Sequence, residues 1–337
     1  MVSWIARAAG REDWLAQGVE DAIAPEVEIV DPHHHLWQRD GGSYELASLW
    51  RDIGAGHRVV QTVYIECHSA YYSDVADGFA PVGETAYVAG QAALARLHPE
   101  RAQIAGIVAH ADLRRRDLGA ILDAHCAAGG DLFKGIRHAG AWDVESADFK
   151  IQPRGDQGLY LEPDFQRGVA LLGARGLTYD TWHYHPQNKD FAALARAVPD
   201  TTLVLDHFGT PLGVGRFAGQ REAIFAAWKD EMAEIAACPN VRAKLGGLAM
   251  PDNGWGWHER AKPLTSDEFE AAYAPWYHHM IACFGPDRCM FESNFPVDRA
   301  SISYGVLWNG LKKIAAGYSA ADQARMFAGT ARQVYGL

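Results

Sequence analysis

The chain has 337 residues, enough for two average domains or one large α/β barrel, and its 48% of hydrophobic residues is ample for a large core. The net charge of −11 argues against a nucleic-acid-binding surface, and no apolar run approaches the roughly 20 residues that a membrane span needs. The five cysteines are odd in number and lie far apart, so a disulfide framework is not expected and a reducing, cytoplasmic setting fits best.

Short apolar runs alternate with helical patterns along the chain. The predicted strands are Glu28–Asp31, Val59–Glu66, Gln103–His110, Leu132–Arg137, Leu177–Trp182, Thr202–Asp206, Val241–Leu245 and Cys289–Glu292. The predicted helices are Glu84–Leu97, Asp117–Ala128, Asp164–Arg175, Lys189–Ala197, Gln220–Ala237, Ser266–Phe284, Ser301–Ala316 and Ala320–Tyr335. Short, mostly apolar strands are typical of parallel strands that are buried on both faces. The alternation predicts an α/β protein, a single-domain (β/α)8 TIM barrel over residues 28–337 with long βα loops and an N-terminal extension over residues 1–27.

Many polar residues fall at the predicted strand ends. Active sites of (β/α)8 barrels lie at the C-terminal ends of the strands, so these residues are candidates for the site. They are His33, His35, Glu66, His68, His110, Asp112, Arg137, His138, His183, His185, Asp206, His207, Lys244 and Asn294. Random placement explains one or two such histidines but not the full set.

The run Asp31–Trp37 reads Asp-Pro-His-His-His-Leu-Trp and ends the first predicted strand. His33 and His35 are two residues apart, so on a strand they point to the same side. Two imidazoles on one face at the end of a buried strand form half of a metal site. A capped loop is the alternative, whereas a cloning tag does not fit a short, internal run in a hydrophobic frame.

Two of the predicted connections after strands are long, Ala139–Pro163 after the fourth strand and Gly246–Thr265 after the seventh. Long loops on the catalytic face usually shape the substrate pocket or a lid. Trp255 and Trp257 in the second loop are therefore candidates for substrate binding. The alternative is that they pack the loop down or form an oligomer contact, and exposed Trp-rich loops make a homo-oligomer a reasonable expectation.

Together, six segments carry a resemblance to a known family. They are Asp31–Trp37, Phe133–His138, Tyr179–Gln187, Val204–Gly209, Asn240–Gly247 and Arg288–Val297. The chain resembles the amidohydrolase superfamily, and more narrowly its group of amidohydrolase-related, TIM-barrel metal-dependent hydrolases, which includes lactonases. The segments occur in the expected order from residue 31 towards the end of the chain, so the set is far more specific than any one of them.

The resemblance implies a set of metal ligands. His33 and His35 match the pair that ligates metal or, in metal-free members, binds the substrate carbonyl. His207 matches the histidine that ends strand six and helps to bind metal, water or the carbonyl under attack. For strand five the match leaves both His183 and His185 open as the third ligand. The implied cofactor is one or two divalent ions, with zinc the first choice, and metal-free catalysis stays open.

Strand eight departs from the family pattern, because Asn294 stands where an aspartate usually binds metal and takes the proton from water. An amide cannot act as a general base near neutral pH, although it can coordinate a metal or orient a water. Another catalytic base is then needed. The candidates are Glu66, Asp298 and Glu292, the last with a side chain that could lie deeper.

Arg137 matches a strand-four arginine suited to a substrate carboxylate, for which its bidentate geometry is better than that of Lys. Lys244 could neutralise an acidic ligand or form a structural ion pair. The resulting expectation is a metal-dependent hydrolase of a small lactone or related cyclic ester or amide, with a small-molecule substrate and no nucleic-acid or membrane partner. The alternatives are a metal-dependent decarboxylase or hydratase on the same barrel, and a non-catalytic binding barrel.

Overall fold

The computed structural model describes residues 10–39 and 42–337 and contains one eight-stranded parallel sheet. Its strands are β1 (Glu28–His34), β2 (Arg58–Ile65), β3 (Gln103–Ala109), β4 (Phe133–Arg137), β5 (Thr178–Thr181), β6 (Leu203–Leu205), β7 (Val241–Leu245) and β8 (Cys289–Phe291). Each strand pairs with the next in sequence, and the residues that follow β8 contact β1. At that junction Asn294 N donates to His33 O at 3.0 Å and His35 N donates to Phe295 O at 2.8 Å. The predicted (β/α)8 TIM barrel is confirmed.

Helices connect the strands and cover the outside of the sheet. They are α1 (Leu46–Ile53), α2 (Val82–Ala95), α3 (Leu118–Gly129), α4 (Pro163–Ala174), α5 (Asn188–Ala197), α6 (Arg221–Ala236), α7 (Ser266–Phe284), α8 (Tyr304–Ala315), α9 (Ala320–Ala324) and α10 (Thr330–Tyr335). Helix α7 begins with a capping box, in which Thr265 and Glu268 satisfy each other's backbone N–H groups. Within the described residues, no helix is both long and apolar enough to cross a membrane.

The core has one layer outside the barrel and one inside it. Leu203 and Leu205 belong to the large cluster packed against the helices, whereas Val204 between them belongs to a smaller cluster with residues of α10. This alternation follows from the two-residue period of a strand. Helix α10 lies at the N-terminal ends of the strands, where Arg332 Nη1 donates to Glu28 Oε1 at 2.6 Å.

Helix α1 and two further features escaped the sequence prediction. A hairpin of two short strands, Trp37–Arg39 and Gly42–Tyr44, follows β1 and leads into α1. Three-residue strands are too short to show a reliable alternation of apolar residues. The predicted helix Ala320–Tyr335 is interrupted by a π-helical turn at Arg325–Gly329, a local irregularity that no residue pattern indicates.

Candidate active site

A pocket opens at the C-terminal ends of the strands, where the sequence predicts the active site. Four of the predicted site residues line it, and each follows or ends a different strand: His35, Arg137, His207 and Asn294. The side chain of His35 is fixed because its Nδ1 lies 2.8 Å from Ile65 O, a contact in which the ring nitrogen must donate. The neutral His35 imidazole therefore keeps Nε2 as an acceptor.

Asp31 joins the two strands that close the barrel. Its Oδ1 accepts from the backbone N–H of Ser293 at 2.9 Å, and its Oδ2 accepts from the hydroxyl of Tyr304 at 3.0 Å. Burial raises the pKa of Asp31 to about 6, although these hydrogen bonds oppose the rise. The first residue of the His-rich run thus holds the end of β8 beside His33.

Arg137, His33, Glu292 and His207 form a continuous chain of contacts that ends at the pocket. Arg137 Nη1 lies 3.4 Å from His33 Nε2, and since a guanidinium only donates, this nitrogen must accept. His33 Nδ1 lies 2.9 Å from Glu292 Oε2 and 3.4 Å from the ammonium of Lys244, so the closer carboxylate favours a proton on this nitrogen, although the angle is poor for a hydrogen bond. Glu292 Oε1 accepts from Nδ1 of His207 at 2.7 Å. Nε2 of His207 is therefore left unprotonated, and this imidazole lines the pocket.

Burial shifts the pKa values of the side chains in this series of contacts. Burial lowers the pKa of His207 to about 3 and lowers the pKa of His33 well below its ordinary value, with Lys244 adding to the second effect. Burial also raises the pKa of Glu292 to about 8, against the opposing charge of Lys244. The assigned tautomers require the ionised form of Glu292, because its Oε1 accepts from His207 Nδ1 while its Oε2 faces Nδ1 of His33 without a hydrogen bond.

Two glycines after β7 make room for Glu292 and His207. A Cβ at Gly246 would overlap Glu292, and a Cβ at Gly247 would overlap the imidazole of His207. Gly247 also has a φ of 78°, which favours glycine. His207 and Asn294 have φ values of 54° and 55°, a left-handed conformation that non-glycine residues seldom adopt outside special sites.

Lys244 is fully buried and lies next to the series of contacts from Arg137 to His207. Its Nζ lies 2.8 Å from Asp180 Oδ2 and 3.2 Å from Asp206 Oδ1. Burial alone would lower the pKa of Lys244, but these carboxylates raise it above its ordinary value. Because the pocket wall does not include Lys244, the geometry favours the structural ion pair over the predicted contact with substrate.

Arg137 is buried and forms an ion pair with Glu66. Its Nε donates to Glu66 Oε1 at 2.8 Å and its Nη2 donates to Glu66 O at 2.5 Å. Burial would raise the pKa of Glu66, but the charge of Arg137 lowers it below its usual range. Glu66 is thus a paired anion of low basicity, and the geometry does not favour it as the catalytic base.

Asp298 supports Asn294. The Asn294 Nδ2 donates to Asp298 Oδ1 at 2.9 Å, and the backbone N–H of Ala249 donates to Asp298 Oδ2 at 3.3 Å. Asp298 is nearly fully buried, and burial raises its pKa well above its ordinary value. Asp298 therefore fixes the Asn294 amide, and the geometry does not favour it as the base either.

The two histidines of strand five do not join the group around His33. His183 is buried with Nε2 3.0 Å from Asn188 Oδ1 and Nδ1 3.1 Å from the hydroxyl of Tyr160. His185 Nδ1 accepts from the backbone N–H of Leu212 at 3.2 Å. Both side chains already have structural partners, so the geometry gives no support to a third ligand from this strand.

Trp255 and Trp257 stack on each other, with ring centroids 5.8 Å apart. Trp257 Nε1 donates to the hydroxyl of Tyr273 at 2.8 Å, and Arg221 lies over the Trp255 ring. Neither tryptophan lines the pocket. They pack their loop onto α7, which was the alternative to substrate binding.

Eight pocket residues escaped the sequence prediction, and four of them are aromatic or cationic. Trp37 and Trp182 supply aromatic walls, and Arg39 and Arg154 supply guanidinium groups. Arg154 lies in the long loop after the fourth strand, and Trp37 ends the His-rich run, so both segments were indicated although the residues were not. Arg39 lies in the unpredicted hairpin. In the described part of the chain, no carboxylate lies within 4.0 Å of either Arg39 or Arg154.

Two clusters of histidine and carboxylate hold ligand atoms within 4.8 Å of one another. The inner cluster is His33, Asp206 and His207, and all three are buried. The outer cluster is Glu66, His68 and His110, of which the two histidines are partly exposed.

The family model described as Amidohydrolase matches residues 30–337. The chain belongs to the amidohydrolase family. It is therefore a hydrolase, and the interpretation as a non-catalytic binding barrel is not retained.

Several relatives match nearly the whole chain. An uncharacterized protein of Sinorhizobium fredii is 30% identical over 325 residues, which are 92% of this chain and 99% of the relative. An L-fucono-1,5-lactonase of Burkholderia multivorans is 29% identical over 91% of this chain and 96% of its own. Among solved structures, an amidohydrolase of B. multivorans with bound zinc has a TM-score of 0.71 and is 24% identical in sequence. The match covers 92% of this chain and 99% of the chain in that structure. A candidate 2-pyrone-4,6-dicarboxylic acid hydrolase of Pseudomonas putida has a TM-score of 0.60 and 17% identity, covering 92% of this chain and 98% of its own.

For this amidohydrolase, the surroundings of the inner cluster do not fit a divalent ion. Lys244 Nζ lies 3.4 Å from His33 Nδ1 and 3.2 Å from Asp206 Oδ1, and Arg137 Nη1 lies 3.4 Å from His33 Nε2. An ion of charge +2 about 4 Å from one such cation is opposed by about 8 kcal/mol at an effective dielectric constant near 20. We therefore derive no catalytic step from a metal on His33. His35 and His207 keep one ring nitrogen each available, and metal binding by them stays a prediction.

Proposed function

We propose that the protein hydrolyses a small lactone, with His207 as the base that activates the attacking water. The observation that carries the proposal is the chain from Arg137 through His33 and Glu292, which leaves Nε2 of His207 as an acceptor at the pocket. The names of two relatives, an L-fucono-1,5-lactonase and a candidate 2-pyrone-4,6-dicarboxylic acid hydrolase, support a lactone as the substrate.

In the proposed reaction, a water donates a proton to Nε2 of His207 while its oxygen attacks the lactone carbonyl carbon. Glu292 stabilises the imidazolium through Nδ1, as a carboxylate does in a catalytic triad. The bond between the carbonyl carbon and the ring oxygen then breaks. The ring oxygen takes the proton back from His207, so the products are a carboxylic acid and an alcohol on one opened chain.

Arg137 and Asn294 would assist at the carbonyl and the water. A guanidinium has five N–H donors, and three of those of Arg137 are directed at Glu66 Oε1, Glu66 O and His33 Nε2, which leaves two. Arg137 lines the pocket, so a remaining donor can stabilise the oxyanion. The Asn294 nitrogen is taken by Asp298, so the amide presents its oxygen as the acceptor that orients the water.

The substrate that suits this pocket carries a carboxylate on an apolar body. Arg39 and Arg154 line the wall and, within the described residues, form no ion pair, so they are available to a substrate anion. Trp37, Trp182 and Ile151 line other parts of it and offer faces for a planar or apolar ring. A polyhydroxylated sugar lactone would need more hydrogen-bonding side chains than these walls provide.

Zinc is the first candidate for a bound ion, supported by the zinc-bound amidohydrolase of B. multivorans. A cytoplasmic location is supported by the five cysteines, all of which are free. The division into residues 1–27 and 28–337 and a homo-oligomeric state stay predictions.

The test is a pH-stat assay of ring opening on matched lactones with and without a carboxylate group. We expect turnover of the carboxylate-bearing compounds and a loss of about 10²- to 10⁴-fold in kcat/KM in His207→Ala. The control is His98→Ala, which removes a half-exposed imidazole far from the pocket. Full activity of His207→Ala, or no opening of any lactone, would refute the proposal.

A further inference from the structure

The outer cluster, Glu66, His68 and His110, lies beside the pocket and has no direct role in the proposed reaction, although Glu66 also pairs with Arg137. Glu66 follows β2, His68 comes two residues later, and His110 follows β3. His68 Nε2 lies 3.3 Å from Glu66 Oε2, and the imidazoles of His68 and His110 have centroids 4.9 Å apart. Neighbouring strand ends thus bring one carboxylate and two imidazoles together.

Each member of the outer cluster is oriented by a partner that leaves one ligand atom available. Glu66 Oε1 is held by Arg137 Nε, while Glu66 Oε2 is buried and makes no hydrogen bond within the described residues. His110 Nδ1 donates to Arg137 O at 3.0 Å, which leaves Nε2 as an acceptor. His68 stacks on Tyr71 with ring centroids 5.3 Å apart. His110 thus donates one ring N–H to a carbonyl, as a metal-ligating histidine typically does.

We infer that the outer cluster binds a divalent transition-metal ion, with zinc as the first candidate. One carboxylate and two imidazoles form a common ligand set for catalytic zinc, and three protein ligands leave such an ion a further position. The buried oxygen of Glu66 that lacks a hydrogen-bond partner indicates a missing ligand at this point.

The contrast with the inner cluster supports this assignment. In the inner cluster, cationic nitrogens approach the ligand atoms themselves at 3.4 Å or less. In the outer cluster Arg137 hydrogen-bonds to the opposite oxygen of Glu66, and within the described residues no cationic side chain hydrogen-bonds to Glu66 Oε2. The His68 side chain is 34% exposed, so an ion has a path of entry.

This site goes beyond the proposed function, because the reaction assigned to His207 does not require it. Arg137 links the two, since it contacts Glu66 and also lines the pocket. An ion at the outer cluster would add positive charge near Arg154, whose charge already acts on His68, and so would favour an anionic substrate.

The test is metal binding by the full chain, measured apart from activity. Protein freed of metal by a chelator is titrated with Co²⁺, read by its visible d–d absorption, and with Zn²⁺ in a calorimeter. We expect about one ion per chain. In His68→Ala and in His110→Ala we expect at least about tenfold weaker binding, since even indirect supports of a metal contribute that much.

The matched control is His207→Ala, which removes an imidazole from the inner cluster and should leave the Co²⁺ bound at the outer cluster unchanged. His110→Gln serves if an alanine variant fails to fold, because it removes the ligand with less loss of packing. Absence of binding in the wild type, or loss of binding in His207→Ala with retention in the outer variants, would overturn the inference. Neither result depends on whether the protein opens lactones.

Discussion

Replacement of Glu292 by glutamine tests the proton pathway most directly. The ionised carboxylate of Glu292 accepts from His207 Nδ1 and faces Nδ1 of His33, whereas an amide presents one oxygen acceptor and one NH2 donor. If the amide nitrogen faces His207, Nδ1 of His207 must accept and its proton must lie on Nε2. With a proton already on Nε2, His207 can no longer accept a proton from water. If the nitrogen faces His33, then Nε2 of His33 must carry a proton towards Arg137 Nη1, 3.4 Å away. Because Arg137 cannot lose its proton, we expect the first arrangement.

The expected loss follows from the position of Glu292 behind the base. General base catalysis contributes about 10²- to 10⁴-fold, and an amide in place of the carboxylate that fixes the tautomer in a serine protease costs about 10⁴-fold. Glu292 contacts Nδ1 of His207 at 2.7 Å and does not line the pocket. We therefore expect kcat to fall about 10³-fold, or about 4 kcal/mol, while KM changes little.

The assay is initial-rate kinetics by pH-stat on the best lactone, with thermal unfolding as a measure of folding. The control is Asp52→Asn, which removes a half-buried carboxylate that accepts from Tyr44 and Arg299 outside the pocket. We expect this variant to lose stability and keep kcat. A Glu292→Gln enzyme within tenfold of the wild-type kcat would refute the assigned tautomers and the role of His207.

Three further results are expected. The kcat/KM of the wild type should rise through about pH 8, since burial raises the pKa of Glu292 to about 8 and its ionised form is the active one; a profile without this limb would count against Glu292 as the partner. Arg154→Met should raise KM about tenfold for a carboxylate-bearing lactone and leave KM for its neutral analogue unchanged; equal effects on both would show that Arg154 does not contact the carboxylate. Lys244→Met should lower the free energy of unfolding by about 3 to 5 kcal/mol, since Asp180 and Asp206 lose a buried cation, and an unchanged urea midpoint would exclude this role.

The convergence of the strand-end residues could be predicted because it depends on periodicity alone. His35, Arg137, His207 and Asn294 line one pocket since parallel strands in a barrel end on the same face. Strand alternation places His33 on that side as well. Periodicity could not, however, give the depth of each side chain, and His33 proved to be buried beneath the pocket.

The roles of loop residues and buried charges could not be predicted, because they depend on contacts between distant parts of the chain. Arg154 reaches the pocket wall through a long irregular loop, while the more conspicuous Trp255 packs on Tyr273 instead. Lys244 has its carboxylate partners on two other strands, so its role was undecided until the register of those strands was known. The departure at Asn294 was visible in the sequence, but the contact of Glu292 with His207 was not.

The hydrogen bond from the Tyr335 hydroxyl to Asp180 connects the tail of the chain to the site of chemistry. Asp180 pairs with Lys244, whose Nζ lies 3.4 Å from His33 Nδ1. The last helical turn therefore contributes, through Asp180 and Lys244, to the charge around the base. A substitution that removes the Tyr335 hydroxyl would act on this charge.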